Sequence, residues 1–180
     1  MELEQLLTHV PEYAKDLKLN LGSVTRQTEL TPQQTWGAVV ACAIAARNRQ
    51  LSQSLLAEAA KHLDEPAMFA AKAAGAIMGM NNIFYRFRHL SGNEKYGAMP
   101  ARLRMQVIGK HGIDPADFEL WCLAVSAING CGVCVAAHEK VLGDKGVGEE
   151  TVLAIVRIAA TIHGLAAVFD AEPAPPAATV

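Results

Sequence analysis

The chain has 180 residues and a formal net charge of -2, with a pI near 6.3, so no long-range field draws it to nucleic acid or to an anionic membrane. Hydrophobic residues make up 51%, charged residues 19% and aromatic residues 6%. That length fits one domain, whose interior of Ala, Leu, Val, Ile and Met needs no disulfide scaffold and favours closely packed helices.

Apolar spacing is helical nearly throughout and no run alternates as a strand does, which predicts an all-α fold. The opening Met1-Glu2-Leu3-Glu4 lacks the basic and apolar regions of a secretory signal, and a cytoplasmic location is expected. After a short first helix, Pro11 starts a segment whose Tyr13, Leu17 and Leu21 lie four apart. Thr31-Pro32 is an N-cap followed by a first-position proline and opens a helix to about Arg47. Further helices are expected over about Leu51 to His62 and from Pro66 to about Arg88. Ser91 to Gly97 is turn-rich and reads as an exposed loop, with helix resuming near Pro100. Asp114-Pro115 opens a helix that breaks at Asn129-Gly130; Cys131 then begins another, ending near Gly143. The last helix spans about Glu149 to Phe169; Arg157 and His163 inside it would be costly in lipid, so it reads as a buried helix of a soluble protein. Residues 1–170 form one helical domain in this reading, and 171–180 a disordered tail rich in Pro and Ala.

Two stretches read as diverged copies of one helical unit. Leu30-Thr31-Pro32 matches Ile113-Asp114-Pro115, and Ala43 to Asn48 matches Ala124 to Asn129. Through the second pairing, Cys131, Cys134 and His138 answer to Gln50, Gln53 and Ala57, which confines the chemistry to the second copy.

Residues 131, 134 and 138 are three and four apart, which puts both cysteines and the histidine on one helical face. The break at Asn129-Gly130 sets Cys131 and Cys134 in the first helical turn, where free N–H groups and the dipole favour a thiolate. A close cysteine pair in a reducing compartment points to catalysis or metal. His138 lies one turn from Cys134 and two from Cys131, making Cys134 the candidate attacking thiolate and Cys131 the partner that closes the disulfide. A histidine base is commonly oriented by a third group. Glu119, on the preceding helix, is the candidate; spacing alone leaves open an exposed position for it.

Cys42 and Cys122, isolated among apolar residues, read as inert buried thiols, His163 as a satisfied core histidine, and Met78, Met80 and Met105 as gap-filling core. Gly75 and Gly79 read as permitting close helix contact, and Arg86, Arg88, Arg102 and Arg104 as solvated charge. Cys131, Cys134, His138 and Glu119 are also acceptable zinc ligand types. Ligands on successive turns of one helix converge poorly on a tetrahedron, which favours the dithiol.

The run Phe118 to Trp121, Ala127 to Cys134 and Ala137-His138-Glu139, with Pro11 to Asp16 and Met78 to Asn82, resembles the alkyl hydroperoxide reductase D proteins of the carboxymuconolactone decarboxylase-like superfamily. The resemblance covers nearly the whole chain. It implies an all-α homotrimer that reduces organic hydroperoxides. Cys134 would pass through a sulfenic acid, Cys131 would be proton donor and resolving thiol, and Glu119 and His138 would form a proton relay. The Cys131–Cys134 disulfide would be reduced by a dihydrolipoyl group on an acyltransferase, recharged by a flavin-dependent dihydrolipoamide dehydrogenase using NADH. Cys134 would also form a mixed disulfide with a partner peroxiredoxin. No flavin or dinucleotide fingerprint occurs in the chain, so no bound cofactor and no metal are expected. One position departs from the family, whose members often carry histidine directly before the second cysteine; here it is Val133. The competing readings are a disulfide reductase without peroxidase activity and a metal-binding helical interaction module.

Overall fold

The structure is a computed structural model that describes residues 2–172, and every regular element among them is helical. Helix α1 covers Leu3–Leu7, and a 3-10 turn at Glu12–Ala14 leads into α2, Lys15–Val24. Then follow α3 (Pro32–Ala46), α4 (Arg49–Ala59), the long α5 (Glu65–Leu90) and a one-turn α6 (Glu94–Ala98). A second 3-10 turn at Gln106–Gly109 precedes α7 (Pro115–Ile128), α8 (Gly132–Asp144) and α9 (Glu149–Ala171).

The starts of the long helices are written in the sequence. Thr31 and Gln34 form a capping box at α3, and Asp64 and Asp114 accept N–H bonds at the starts of α5 and α7, each helix carrying proline in its first turn.

Helix α3 lies at the centre, packed against α5, α7 and α9, and its residues from Gly37 to Ala43 are buried. That middle stretch is apolar all round because no face of it meets water. Close approach is set by glycine at two points. A Cβ on Gly37 would lie 1.9 Å from Trp121 Cζ2, so the fully buried indole of α7 occupies that space, donating its Nε1–H to the Gln34 carbonyl at 3.0 Å. A Cβ on Gly75 would meet the Ala41 carbonyl and Ile44 Cβ, both at 3.0 Å. Gly79 differs from the expectation, since nothing lies within 4 Å of its Cβ position.

Helix α9 is long and apolar enough to cross a membrane by length and composition, but 56% of its most apolar window is buried within the fold. It packs on α2, α3 and α7, and Arg157 reaches Glu29 at 3.4 Å. His163 is exposed and not a core residue.

The segment after α5 departs from the sequence reading in two places. Within the expected loop, Asn93 accepts the Lys95 N–H at 3.1 Å and starts α6, whose residues are all exposed. No helix resumes near Pro100; Arg102 takes φ +53, and regular structure returns only as the 3-10 turn at Gln106. At the far end, α9 passes the expected boundary at 170 to reach Ala171, and Glu172 accepts the Tyr13 hydroxyl at 2.8 Å. The rest of the expected tail, residues 173–180, lies outside the described residues.

Candidate active site

The site is built on the turn between α7 and α8. Gly130, at φ +63, donates its N–H to the Ala127 carbonyl at 3.1 Å, and the Cys131 N–H reaches the Ser126 carbonyl at 3.1 Å. These two bonds form a Schellman motif, in which the left-handed residue is best supplied by glycine. Cys131 is therefore both the residue that closes α7 and the N-cap of α8, with Cys134 at the third helical position. N-cap and third-position side chains face one another across a first turn, the relation a capping box uses. Here the two face as sulfurs: Cys131 and Cys134 are joined in a disulfide, with Cα atoms 5.2 Å apart.

Buried polar groups from α5 hold this turn. The Asn82 amide donates to Ser126 Oγ at 2.8 Å and accepts from Asn129 Nδ2 at 2.9 Å, while Arg86 donates to the Asn129 carbonyl. Arg86 is thus half-buried and tied to the turn instead of solvated. Arg88 lies over the rings of Phe84 and Tyr85 and donates to the Gly97 carbonyl. Arg102 and Arg104 are exposed as expected.

The two sulfurs are not equivalent. Cys131 is fully buried, whereas Cys134 lines a cavity of about 270 Å³ between α5, α7, α8 and the segment around residues 105–108. Glu119 and His138 line the same cavity, and His138 Nδ1 meets Glu119 Oε2 at 2.6 Å with side chains 17% and 20% exposed. The position that spacing left open for Glu119 is therefore partly buried and paired. A short contact of this kind fixes the imidazole plane and leaves Nε2 to deal with a proton elsewhere.

The remaining wall is mostly apolar, with Asn81 and Tyr85 as its further polar side chains. Met78 and Met105, read from sequence as gap-filling core, line the cavity with Ile108, and Val133 stands half-exposed on it. Cys122 also lines it but is 1% exposed, and burial together with the Glu119 charge pushes its thiol well above the ordinary range. Burial does the same to Cys42. Both are neutral thiols at physiological pH, the inert state expected for them.

Among the described residues no group of three or more His, Cys, Asp and Glu side chains is arranged to hold a metal.

Residues 94–175 match the carboxymuconolactone decarboxylase family. The chain is 77% identical over 175 residues, 97% of its length and 99% of the relative's, to the protein named alkyl hydroperoxide reductase AhpD of Solibacter usitatus. The chain belongs to the AhpD family. AhpD proteins of Acidobacterium capsulatum and Rhodospirillum centenum are 60% and 56% identical to it, covering 96% and 97% of this chain and 94% of each relative. The AhpD family lies within the carboxymuconolactone decarboxylase-like superfamily, and the all-helical architecture agrees with that membership.

Sequence reasoning found the four residues that meet at the disulfide and cavity. It read Asn129 only as part of the helix break and gave no role to Asn82 and Ser126, which with Asn129 fix the turn, or to Tyr85 and Asn81 in the cavity wall. The paired asparagines at 81 and 82, in an otherwise apolar stretch of α5, were the available signal.

Proposed function

We propose that the protein is a thiol peroxidase that reduces alkyl hydroperoxides through a Cys131/Cys134 dithiol–disulfide cycle. The observation that carries this reading is the asymmetry of the pair: Cys134 opens on an apolar cavity beside the Glu119–His138 contact, and Cys131 is sealed. Relatives named alkyl hydroperoxide reductase AhpD support a peroxide-reducing role.

The first turn of α8 carries no side-chain cap in the disulfide form, and on reduction its N–H groups and dipole stabilise a thiolate at Cys134. A fall of about two pKa units, roughly 2.7 kcal/mol, makes thiolate the main form at neutral pH. The Cys134 thiolate attacks the terminal oxygen of the hydroperoxide. An S–O bond forms, the O–O bond breaks, and the alkoxide takes a proton relayed through Glu119 and His138 to leave as alcohol. Sulfur has given two electrons and is now a sulfenic acid. The Cys131 thiol then attacks Cys134, and water departs as the disulfide closes.

Recharging uses a dithiol of the dihydrolipoyl class, carried on a partner acyltransferase and regenerated by a flavin-dependent dihydrolipoamide dehydrogenase with NADH. Two thiols on one flexible arm suit a disulfide of which only one sulfur is approachable. The chain binds no cofactor of its own in this reading. A partner peroxiredoxin would be served through a mixed disulfide at Cys134. A cytoplasmic location and assembly as a homotrimer belong to the same proposal; exposed apolar side chains such as Phe69, Ile83, Phe87 and Leu153 on α5 and α9 support association between copies.

The test is peroxide consumption coupled to NADH oxidation through a lipoylated donor and its dehydrogenase. Cys134→Ser abolishes turnover, and Cys131→Ser forms a sulfenic acid but does not recycle. Wild-type turnover in both variants would contradict the mechanism. Reduction of model disulfides without peroxide consumption would instead support the disulfide reductase reading.

A further inference from the structure

Two adjacent asparagines on α5 behave differently. Asn82 is fully buried and spends its amide on Ser126 and Asn129. Asn81 is 5% exposed and its Oδ1 has no hydrogen-bond partner, the single buried side-chain N or O atom so left among the described residues. An unpaired buried carbonyl costs on the order of 1–3 kcal/mol, and such a group in a native fold calls for a reason. Asn81 lies three residues after Met78 and four before Tyr85, so all three share one helical face, and all three line the cavity that holds Cys134, Glu119 and His138.

We infer that the Asn81 amide binds the peroxide group of the substrate, a role that rests on the proposed peroxidase reading. A hydroperoxide offers one O–H donor and two acceptor oxygens. A primary amide is its complement: the carbonyl accepts the terminal O–H while the N–H donates to a peroxide oxygen. The surrounding Met78, Met105 and Ile108 take the alkyl portion, so a polar anchor on the α5 wall, separate from the Glu119–His138 pair, fixes which end of the molecule faces Cys134. The amide is unchanged by the reaction; it neither gives nor takes the proton that Glu119 and His138 relay. Its contribution is to hold the terminal oxygen in line with the sulfur.

Asn81→Leu keeps the size and removes both hydrogen bonds, and Asn81→Ala adds no bulk should the first variant misfold. In each, four quantities are measured: the rate of Cys134 oxidation by cumene hydroperoxide and the pH profile of Cys134 alkylation on the fully reduced chain, the rate of disulfide reduction by dihydrolipoamide on the oxidised chain, and the Tm. The expected result is an oxidation rate constant lowered at least about tenfold, the equivalent of one lost hydrogen bond, with unchanged alkylation and reduction. The Tm of Asn81→Leu stays level or rises, because an unsatisfied buried group has been removed. Oxidation at the wild-type rate together with a lowered Tm would mean a structural asparagine and overturn the inference alone. A wild-type chain inert to cumene hydroperoxide but still reducible by dihydrolipoamide would remove the peroxidase reading and this role with it.

Discussion

The N-termini of α4 and α8 each follow a proline-opened helix and do opposite things. Counted from the prolines that open α3 and α7, Arg47 stands where Gly130 stands, Asn48 where Cys131, Leu51 where Cys134, Leu55 where His138, and Trp36 where Glu119. This count lies two residues from the pairing with Gln50, Gln53 and Ala57, because the alanine-rich ends of α3 and α7 match in more than one register. At α4, Asn48 accepts the Leu51 N–H at 2.8 Å, and Leu51 and Leu55 are buried in the core. At α8 no side chain caps the helix, and the positions answering to Asn48 and Leu51 hold the disulfide. One location stabilises a helix start, and the other leaves its dipole free to act on a sulfur. The same backbone position thus serves stability or chemistry according to whether its side chain satisfies the helix.

The contrast is broken most severely at Glu119. Glu119→Gln keeps the shape of the His138 contact but removes its charge, and peroxide turnover falls by about 10² or more, the scale of general acid–base assistance. His138→Phe shifts the alkylation profile of Cys134 to higher pH; an unchanged profile would remove His138 from thiolate stabilisation. The equivalent change on the other side, Trp36→Gln, affects stability and leaves the alkylation profile in place.

The two turns give the next largest effect. Gly130→Ala forces a side chain into the left-handed region and costs about 1–2 kcal/mol, whereas Arg47→Gly relieves a residue at φ +64 and stabilises by about 1 kcal/mol. Denaturant midpoints of the two variants move in opposite directions. Smaller still are the caps. Asn48→Ala costs about 1 kcal/mol, while Cys131→Ser, compared with reduced wild type, supplies a capping hydroxyl and holds or raises the Tm.

The smallest effect concerns the other two thiols. Their raised pKa values mean that the native state holds their protons above the unfolded thiol range, so stability is full below about pH 8.5 and declines as pH rises beyond it. At neutral pH iodoacetamide labels Cys134 of the reduced native chain first and reaches Cys42 and Cys122 only on unfolding. Early labelling of Cys122 would show that the cavity wall is open.

The dithiol and its histidine were legible because their relation is local: spacings of three and four on one helix need no knowledge of the fold. Helix starts were legible for the same reason at Thr31 and Asp114, where cap and proline sit side by side, and at Pro66, which follows the Asp64 cap by two residues. Glu119 required knowing how α7 turns into α8, so sequence placed it on the right helix without settling its exposure. Arg86, Asn82 and Met105 were misread or passed over because their partners are distant in sequence and meet only when α5 packs on α7 and α8. Residues 91–105 were misread for a different reason. With little apolar face to bury, that segment is shaped by Asn93, Pro100 and the left-handed Arg102, not by helical periodicity.

The central claim is that Cys134, and not its buried partner, meets the peroxide. The direct measurement is to treat reduced Cys131→Ser with one equivalent of cumene hydroperoxide in the presence of a sulfenic-acid trap and locate the adduct by peptide mass spectrometry. The adduct is expected on Cys134 in Cys131→Ser, and no adduct is expected in Cys134→Ser. An adduct on Cys131 in the latter variant, formed at a comparable rate, would contradict the account.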